Sequence, residues 1–286
     1  MTPPAFHLTR PERCLSGVVF ASPHSGSIYP AEFLRQSQLD PQMIRSSEDA
    51  FVDQLFSAAP ELGAPLLRAS LPRAYVDLNR SPDELDAALI DGVRRQGHNP
   101  RVASGLGVIP RVVANGRAIY PGKLPLSEAH HRIDTYWHPY HAQLQRLLDE
   151  AHEQFGHAIL VDCHSMPHEA MDGVARGAAR RPEIVLGDRF GAAAGGAVVD
   201  RIEAAFAAAG LEVTRNAPFA GAYVAQAYGR PVRRQHAVQI EIDRSIYMDE
   251  RRIRPNANFE SFRRLMRGVI ADIISIGFGE VSLAAE

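Results

Sequence analysis

The sequence predicts an α/β protein: a mostly parallel or mixed sheet with helices on both faces. Short apolar runs alternate with longer segments of helical period along the chain, as βα units around a covered sheet do. Two of the runs lead into His-Ser steps, Ser22-Pro23-His24-Ser25-Gly26 and Val161-Asp162-Cys163-His164-Ser165. A strand that stops on histidine sets an imidazole at the sheet rim, where ligands gather in open α/β folds.

The elements follow in order. Residues 17–21 read as a buried strand broken by Pro23 and Gly26. Ser46 reads as the N-cap of a helix with Asp49 at N3 and a stripe of Phe51, Val52, Leu55 and Phe56, ending near Pro60 and Gly63. Residues 65–69 and 74–78 read as short strands. Residues 79–125, rich in Gly, Pro, Asn and Asp, read as a long loop region, which in a compact domain is usually functional or disordered. A helix is expected over 127–154, interrupted at Pro139, with Ile133, Trp137, Tyr140, Leu144 and Leu148 inward. A strand over 157–161 precedes a second loop over 166–182. An Ala-rich helix from Asp188 stops at Gly210, a good C′ residue. Strands at 212–214 and 237–242 and a helix from Asn258 to about Ile274 complete the chain. No repeat or linker divides it, so one domain over 1–286 is expected.

Composition narrows the function classes. The 286 residues are 45% hydrophobic and 22% charged, ordinary globular usage. The net charge of −2 and the lack of a Lys/Arg block argue against nucleic acid. Cys14 and Cys163 cannot build a disulfide framework, and the N-terminus lacks a signal-like pattern, so a cytoplasmic protein is expected. No apolar run approaches the ~20 residues of a membrane span. Gly-x-Gly-x-x-Gly, phosphate-loop and Gly-x-Ser-x-Gly motifs are absent, which removes support for nucleotide binding or serine hydrolysis. Nothing in the sequence sets an oligomeric state.

Several residues carry candidate chemistry. His24 is a turn histidine or a metal ligand. Asp162 and His164 alternate onto one strand face, so one can ligate while the other orients a neighbour. Glu48 and Asp49 are the nearest acids downstream of His24, although acids in a first helical turn also serve the helix dipole. Gln239, Glu241 and Asp243 share a strand face that is either solvated or looks into a cleft, where Glu241 would serve as base or acid. Arg73, Asp77, Asn79 and Arg80 form either a strand-end salt bridge or an anion grip. Arg111 and Arg176 are weaker anion candidates.

Together these segments resemble the N-formylglutamate amidohydrolase family. The matching pieces are Ser22 to Gly26, Asp49 with Val52 and Leu55, Tyr75-Val76-Asp77-Leu78-Asn79-Arg80, Asp162 with His164 and Ser165, and His236 to Glu241 followed by Tyr247 and Met248. They run in order from near residue 17 to about 250. The resemblance implies a phosphorylase/hydrolase-like fold related to zinc carboxypeptidases and aspartoacylases, and Zn2+-dependent hydrolysis of an N-acyl acidic amino acid. N-formyl-L-glutamate leads, a step of amino-acid and histidine catabolism; other N-acyl or N-formimidoyl amino acids, or acidic-ligand binding without catalysis, are the alternatives. It implies His24, Asp49 and His164 as metal ligands, with Asp49 fitting the family's Asp-x-x-Val-Asp-x-Leu and Glu48 as its neighbouring alternative. It implies Glu241 as catalytic carboxylate and Arg73, Asn79 and Arg80 as grips for substrate carboxylates. One departure stands out. The histidine-degradation branch carries Gly-Gly-His before the catalytic strand, whereas this chain has Gly221-Ala222-Tyr223, with Tyr223 as an expected hydrogen-bond donor.

Overall fold

The computed structural model describes residues 2–94, 99–175 and 180–278. Within them the sheet strands are β1 (Phe6–Thr9), β2 (Val18–Ser22), β3 (Leu66–Ala69), β4 (Ala158–Met166), β5 (Ile184–Gly187), β6 (Val213–Arg215) and β7 (Gln235–Asp243). Their order is β1-β3-β2-β4-β7-β5-β6. β3, β2, β4 and β7 run parallel, while β1 and the β5–β6 pair run against them. The expected mostly parallel, mixed sheet is present.

Strand alternation explains the layers. In β2, Val18 and Phe20 enter one core while Val19 and Ala21 enter the other. In β4, Ile159, Val161 and Cys163 belong to the first core and Ala158 and Leu160 to the second. The second face then changes character, because Asp162 and His164 continue it. β7 repeats the change: Ala237 is followed on its face by Gln239, Glu241 and Asp243, while Val238, Ile240 and Ile242 stay in the first core. The β4–β7 register sets Asp162 beside Gln239 and His164 beside Glu241. One face of the central sheet is therefore apolar at its base and polar at the carboxyl ends of its parallel strands.

Helices seal both faces. His138–Phe155 covers the face with the polar half through Tyr140, Leu144, Leu147 and Leu148. Gly196–Ala208 and Phe259–Ile276 cover the other. In the last helix Phe262, Met266, Val269, Ile270 and Ile273 recur at helical spacing and are buried. Full burial of each such side chain contributes about 1.5–3 kcal/mol. Among the described residues no helix is long and apolar enough to cross a membrane.

Local expectations needed correction where the site pulls on the backbone. The helix expected from Ser46 to Pro60 is only Val52–Leu55, after a 3-10 turn at Met43–Arg45. Ser46 caps nothing. The Asp49 N–H instead donates to the His24 carbonyl at 3.1 Å, and Phe51 is left-handed at φ 68°. Residues 74–78 are turns rather than a strand, because the Pro72 carbonyl accepts from Tyr75 and Val76 while Asp77 N–H goes to Val108. β1, a four-residue edge strand, lacked a sequence signal. The long helix splits into Leu126–Arg132, a π turn at Ile133–Trp137 and His138–Phe155. Pro139 lies in the first turn of the last piece, where its missing N–H is tolerated. The Ala-rich helix starts at Gly196 rather than Asp188, since Arg189 and Phe190 are left-handed.

His141, on the helix His138–Phe155, is stacked between Trp137 and Tyr228. Its Nε2–H donates to the Leu78 carbonyl at 2.9 Å, and Nδ1 lies 2.8 Å from the Tyr228 hydroxyl. Burial pushes its pKa down to about 4. The unfolded chain takes up this proton near pH 6.5 and the folded chain only near 4, so this stability is present above 6.5 and lost on the way down. The stability difference between wild type and His141→Gln should shrink by about 3 kcal/mol across that window. Urea unfolding at stepped pH measures it; a constant difference would contradict the neutral, buried imidazole.

Candidate metal and catalytic site

The polar half of the sheet face forms the floor of a cavity of about 560 Å³. His24 enters from the turn after β2. That turn passes so close to Leu71 that a Cβ at Gly26 would collide with the Leu71 carbonyl. His164 and Glu241 enter from adjacent positions of β4 and β7. Asp49 arrives on the turn that the His24 carbonyl holds. His24, Asp49 and His164 are buried, and one ligand atom of each lies within 4.8 Å of the others.

The geometry assigns different work to the two nitrogens of each ring. Nδ1 of His164 is 2.9 Å and Nδ1 of His24 is 3.5 Å from Asp49 Oδ2. The opposite nitrogens meet carboxylates: His24 Nε2 is 2.7 Å from Asp77 Oδ1, and His164 Nε2 is 3.0 Å from Asp162 Oδ2. A carboxylate only accepts, so His24 Nε2 carries a proton, and the two carboxylates facing the two nitrogens of His164 favour protons on both while no cation is bound. A carboxylate behind each histidine is the arrangement that fixes ring orientation in metal sites. His24 Nδ1 is buried and has no hydrogen-bond partner, which suits a donor atom aimed at a cation.

The charge balance points the same way. Asp49, Asp77, Asp162 and Glu241 are all buried. The guanidiniums bonded to these acids are Arg73 on Asp77 and Arg244 on Asp49, at 2.8 and 2.9 Å. Burial opposes charge on His164, yet Asp162, Asp49 and Glu241 hold its pKa well above the ordinary value. Burial pushes the Glu241 carboxyl up to about 7, helped by Asp49 and opposed by His164, Arg244 and Arg73. Burial also opposes ionisation of Asp77, but Arg73 and His24 hold its pKa well below the usual carboxylate value. The site as a whole favours added positive charge, so its residues fit a divalent metal.

The remaining expected residues sort clearly. Glu48 turns away from the imidazoles: Arg45 donates to both of its oxygens at 3.0 Å, and Tyr29 donates its hydroxyl to it. Arg73 and Arg80 line the cavity with Arg101 and Arg244. Arg80 donates from Nε to Leu106 and from Nη1 to Asn79 carbonyls; burial, with Arg73 and Arg101 nearby, lowers its pKa. Asn79 lines the cavity as well, with its side chain held by protein partners. Its Nδ2 lies 3.3 Å from Asp162 Oδ2 and 3.1 Å from His164 Nε2, and its Oδ1 accepts from Val224 N–H at 2.7 Å. Tyr223 is likewise displaced: its ring packs on Trp137 and His141, outside the cavity lining, which takes Gly221 and Ala222 instead. Arg111 is paired with Asp86 at 2.8 Å and is not among the cavity-lining side chains, although Pro110 and Val112 beside it are. Arg176 lies outside the described residues.

Sequence reasoning missed Arg244, Arg101 and the Asp77–His24 contact. Arg244 lies in the 3-10 turn just past β7, beyond the alternating pattern that revealed Glu241. Asp77 was legible only as a partner of the nearby arginines, because its contact with His24 spans 53 positions.

Comparison with known proteins gives the family. Residues 16–248 match the family model described as N-formylglutamate amidohydrolase. The chain is 31% identical over 240 residues to an N-formylglutamate deformylase of Pseudomonas putida, covering 82% of each. It is 32% identical over 234 residues to one from Pseudomonas aeruginosa, covering 79% of each. Among solved structures, an N-formylglutamate amidohydrolase from Ralstonia eutropha JMP134 is similar with a TM-score of 0.88 and 34% identity, over 95% of this chain and 98% of that one.

The two adjacent acids make opposite predictions. Asp49→Asn should weaken divalent-metal binding beyond the ~10- to 100-fold typical of losing an outer partner. Glu48→Gln should keep the metal but lose about 1–3 kcal/mol of stability, as a buried acid paired with a partly exposed Arg45 is removed. Equilibrium dialysis and urea unfolding separate these outcomes; the reverse pattern would move the ligand to Glu48.

Proposed function

The chain belongs to the N-formylglutamate amidohydrolase family, and we propose that it hydrolyses N-formyl-L-glutamate to formate and L-glutamate. The observation that carries this reading is the meeting of the His24, Asp49 and His164 group with Glu241 and several arginines in one cavity. Its volume of about 560 Å³ suits a small polar substrate.

Two imidazoles and one carboxylate are the donors of open catalytic zinc sites. His24 and His164 through Nδ1, and Asp49 through Oδ2, would hold the ion. Zinc would supply Lewis acidity there, bringing the pKa of a bound water to roughly 7 and polarising the amide carbonyl.

The protein's own groups do the rest. Glu241 takes a proton from the attacking water as its oxygen bonds to the formyl carbon. The C–N bond then breaks, its electron pair leaves on the glutamate nitrogen, and Glu241 returns the proton there. Burial raises the proton affinity of the Glu241 carboxyl, which helps it keep the proton between the two transfers. The Gln239 amide donates to Glu241 Oε1 at 2.8 Å and fixes its orientation. Asp77 and Asp162 keep the Nδ1 faces of His24 and His164 toward Asp49. Arg73 and Arg80 would bind the two carboxylates of the substrate, with Arg101 adding positive charge at the rim. Asn79 lines the same cavity wall and braces Asp162 through its Nδ2 amide.

Formate release tests the reading. Glu241→Gln should keep its zinc and lose about 10²- to 10⁴-fold in kcat. Wild-type kcat/KM should fall about tenfold per pH unit below an acid limb at or below pH 7, since zinc's charge only lowers the pKa of Glu241. Full activity in Glu241→Gln, or an acid limb well above 7, would exclude Glu241 as the base.

A further inference from the structure

Asp49 presents its two oxygens to different partners. Oδ2 faces the imidazoles, 2.9 Å from His164 Nδ1 and 3.5 Å from His24 Nδ1. Oδ1 accepts from Arg244 Nη2 at 2.9 Å. Both residues are withdrawn from solvent, Asp49 at 1% exposure and Arg244 at 6%. The Arg244 guanidinium is itself tied down. Its Nε donates to Ser165 Oγ at 3.1 Å, Nη2 lies 3.4 Å from the Ser165 carbonyl, and Nη1 lies 3.5 Å from the Ser46 carbonyl. One side chain thus joins the end of β4, the turn that delivers Asp49 and the turn that follows Glu241.

We infer that Arg244 is a positioning residue that occupies the outer oxygen of Asp49 and leaves that carboxylate a single oxygen to give the metal. The inference rests on the metal site described under the proposed function. A carboxylate with both oxygens free can bind a cation through both, and the second oxygen would take a position needed by water or the amide. A charge-assisted bond from a guanidinium competes for that oxygen, and a fork held by three further carbonyl and hydroxyl contacts keeps it in place. Stability alone is a poor reason for such a pair, because buried ion pairs often stabilise no more than apolar replacements. Arg244 lines the cavity, but its N–H groups are already directed at Asp49, Ser165 and Ser46. All three of its nitrogens are engaged, whereas the hydrogen bonds of Arg73 and Arg80 engage only one and two of theirs, which separates it from them as a grip for substrate.

Zinc affinity by chelator competition, with kcat and KM for N-formylglutamate, tests the inference. Arg244→Gln should bind zinc about 10- to 100-fold more weakly, as loss of an outer partner does. Its kcat should fall while KM stays within about threefold. Arg244→Lys keeps the charge but not the fork, so it should recover only part of both. Ser165→Ala, which frees Nε alone, should shift zinc affinity in the same direction by less than about tenfold. If Arg244→Gln does not fold, the lysine and Ser165 variants decide: unchanged zinc affinity in both overturns the inference. A rise in KM with zinc affinity unchanged would make Arg244 a substrate grip and overturn it as well. Wild-type protein without zinc affinity would sink the metal site and this inference together, whereas tight wild-type binding matched by every variant would sink the inference alone.

Discussion

Four buried carboxyls crowd two imidazoles on one half of a sheet face, and the surrounding structure is arranged around that charge. Asp49, Asp77, Asp162 and Glu241 are each almost completely withdrawn from water. Burying a carboxylate costs several kcal/mol unless it is paired and hydrogen-bonded. The fold offsets the cost locally. Arg73 sits on Asp77 and Arg244 on Asp49, the Asn79 amide meets Asp162, and the Gln239 amide meets Glu241. The raised pKa values of His164 and Glu241 are the residue of incomplete compensation. A divalent cation among His24, Asp49 and His164 would complete it.

The same constraint shapes the backbone nearby. Ser46 to Phe51 gives up helical structure so that Asp49 can reach His164, and Phe51 takes a left-handed conformation costing about 1–2 kcal/mol. Its ring packs against Phe259, so the last helix helps hold the turn. Residues 74–78 leave the sheet so that Asp77 can reach His24. The π turn at Ile133–Trp137 lets the Trp137 indole donate to the Arg80 carbonyl at 2.9 Å, securing the segment that carries Asn79 and Arg80. These departures lie around one cavity, which is where local preference is expected to yield to function.

That pattern also explains what the sequence disclosed. Alternation in β4 and β7 revealed the polar face, because each strand changes from Ala-Leu or Ala to Asp-His or Gln-Glu on one side while its other side stays apolar. The strand ends exposed His24 and His164 for the same reason. Asp49 and Glu48 could not be separated by local pattern, since both suit a first helical turn. The distinction came from long-range partners: His164 lies 115 positions from Asp49, whereas Arg45 lies three from Glu48. Asn79 read as a grip because its sequence neighbours are arginines; its bonds with Asp162 and Val224, which also make it a brace on the cavity wall, come from tertiary contacts no local pattern shows. Arg244 lay just past the periodic signal, and Tyr223 was drawn off by the aromatic surface of Trp137 and His141.

The most direct test is anomalous X-ray scattering at the zinc edge from crystals of the zinc-loaded protein. The account predicts one strong peak enclosed by His24 Nδ1, His164 Nδ1 and Asp49 Oδ2, with Asp49 Oδ1 still on Arg244. A peak beside Glu48, or no peak among these three residues, would contradict it.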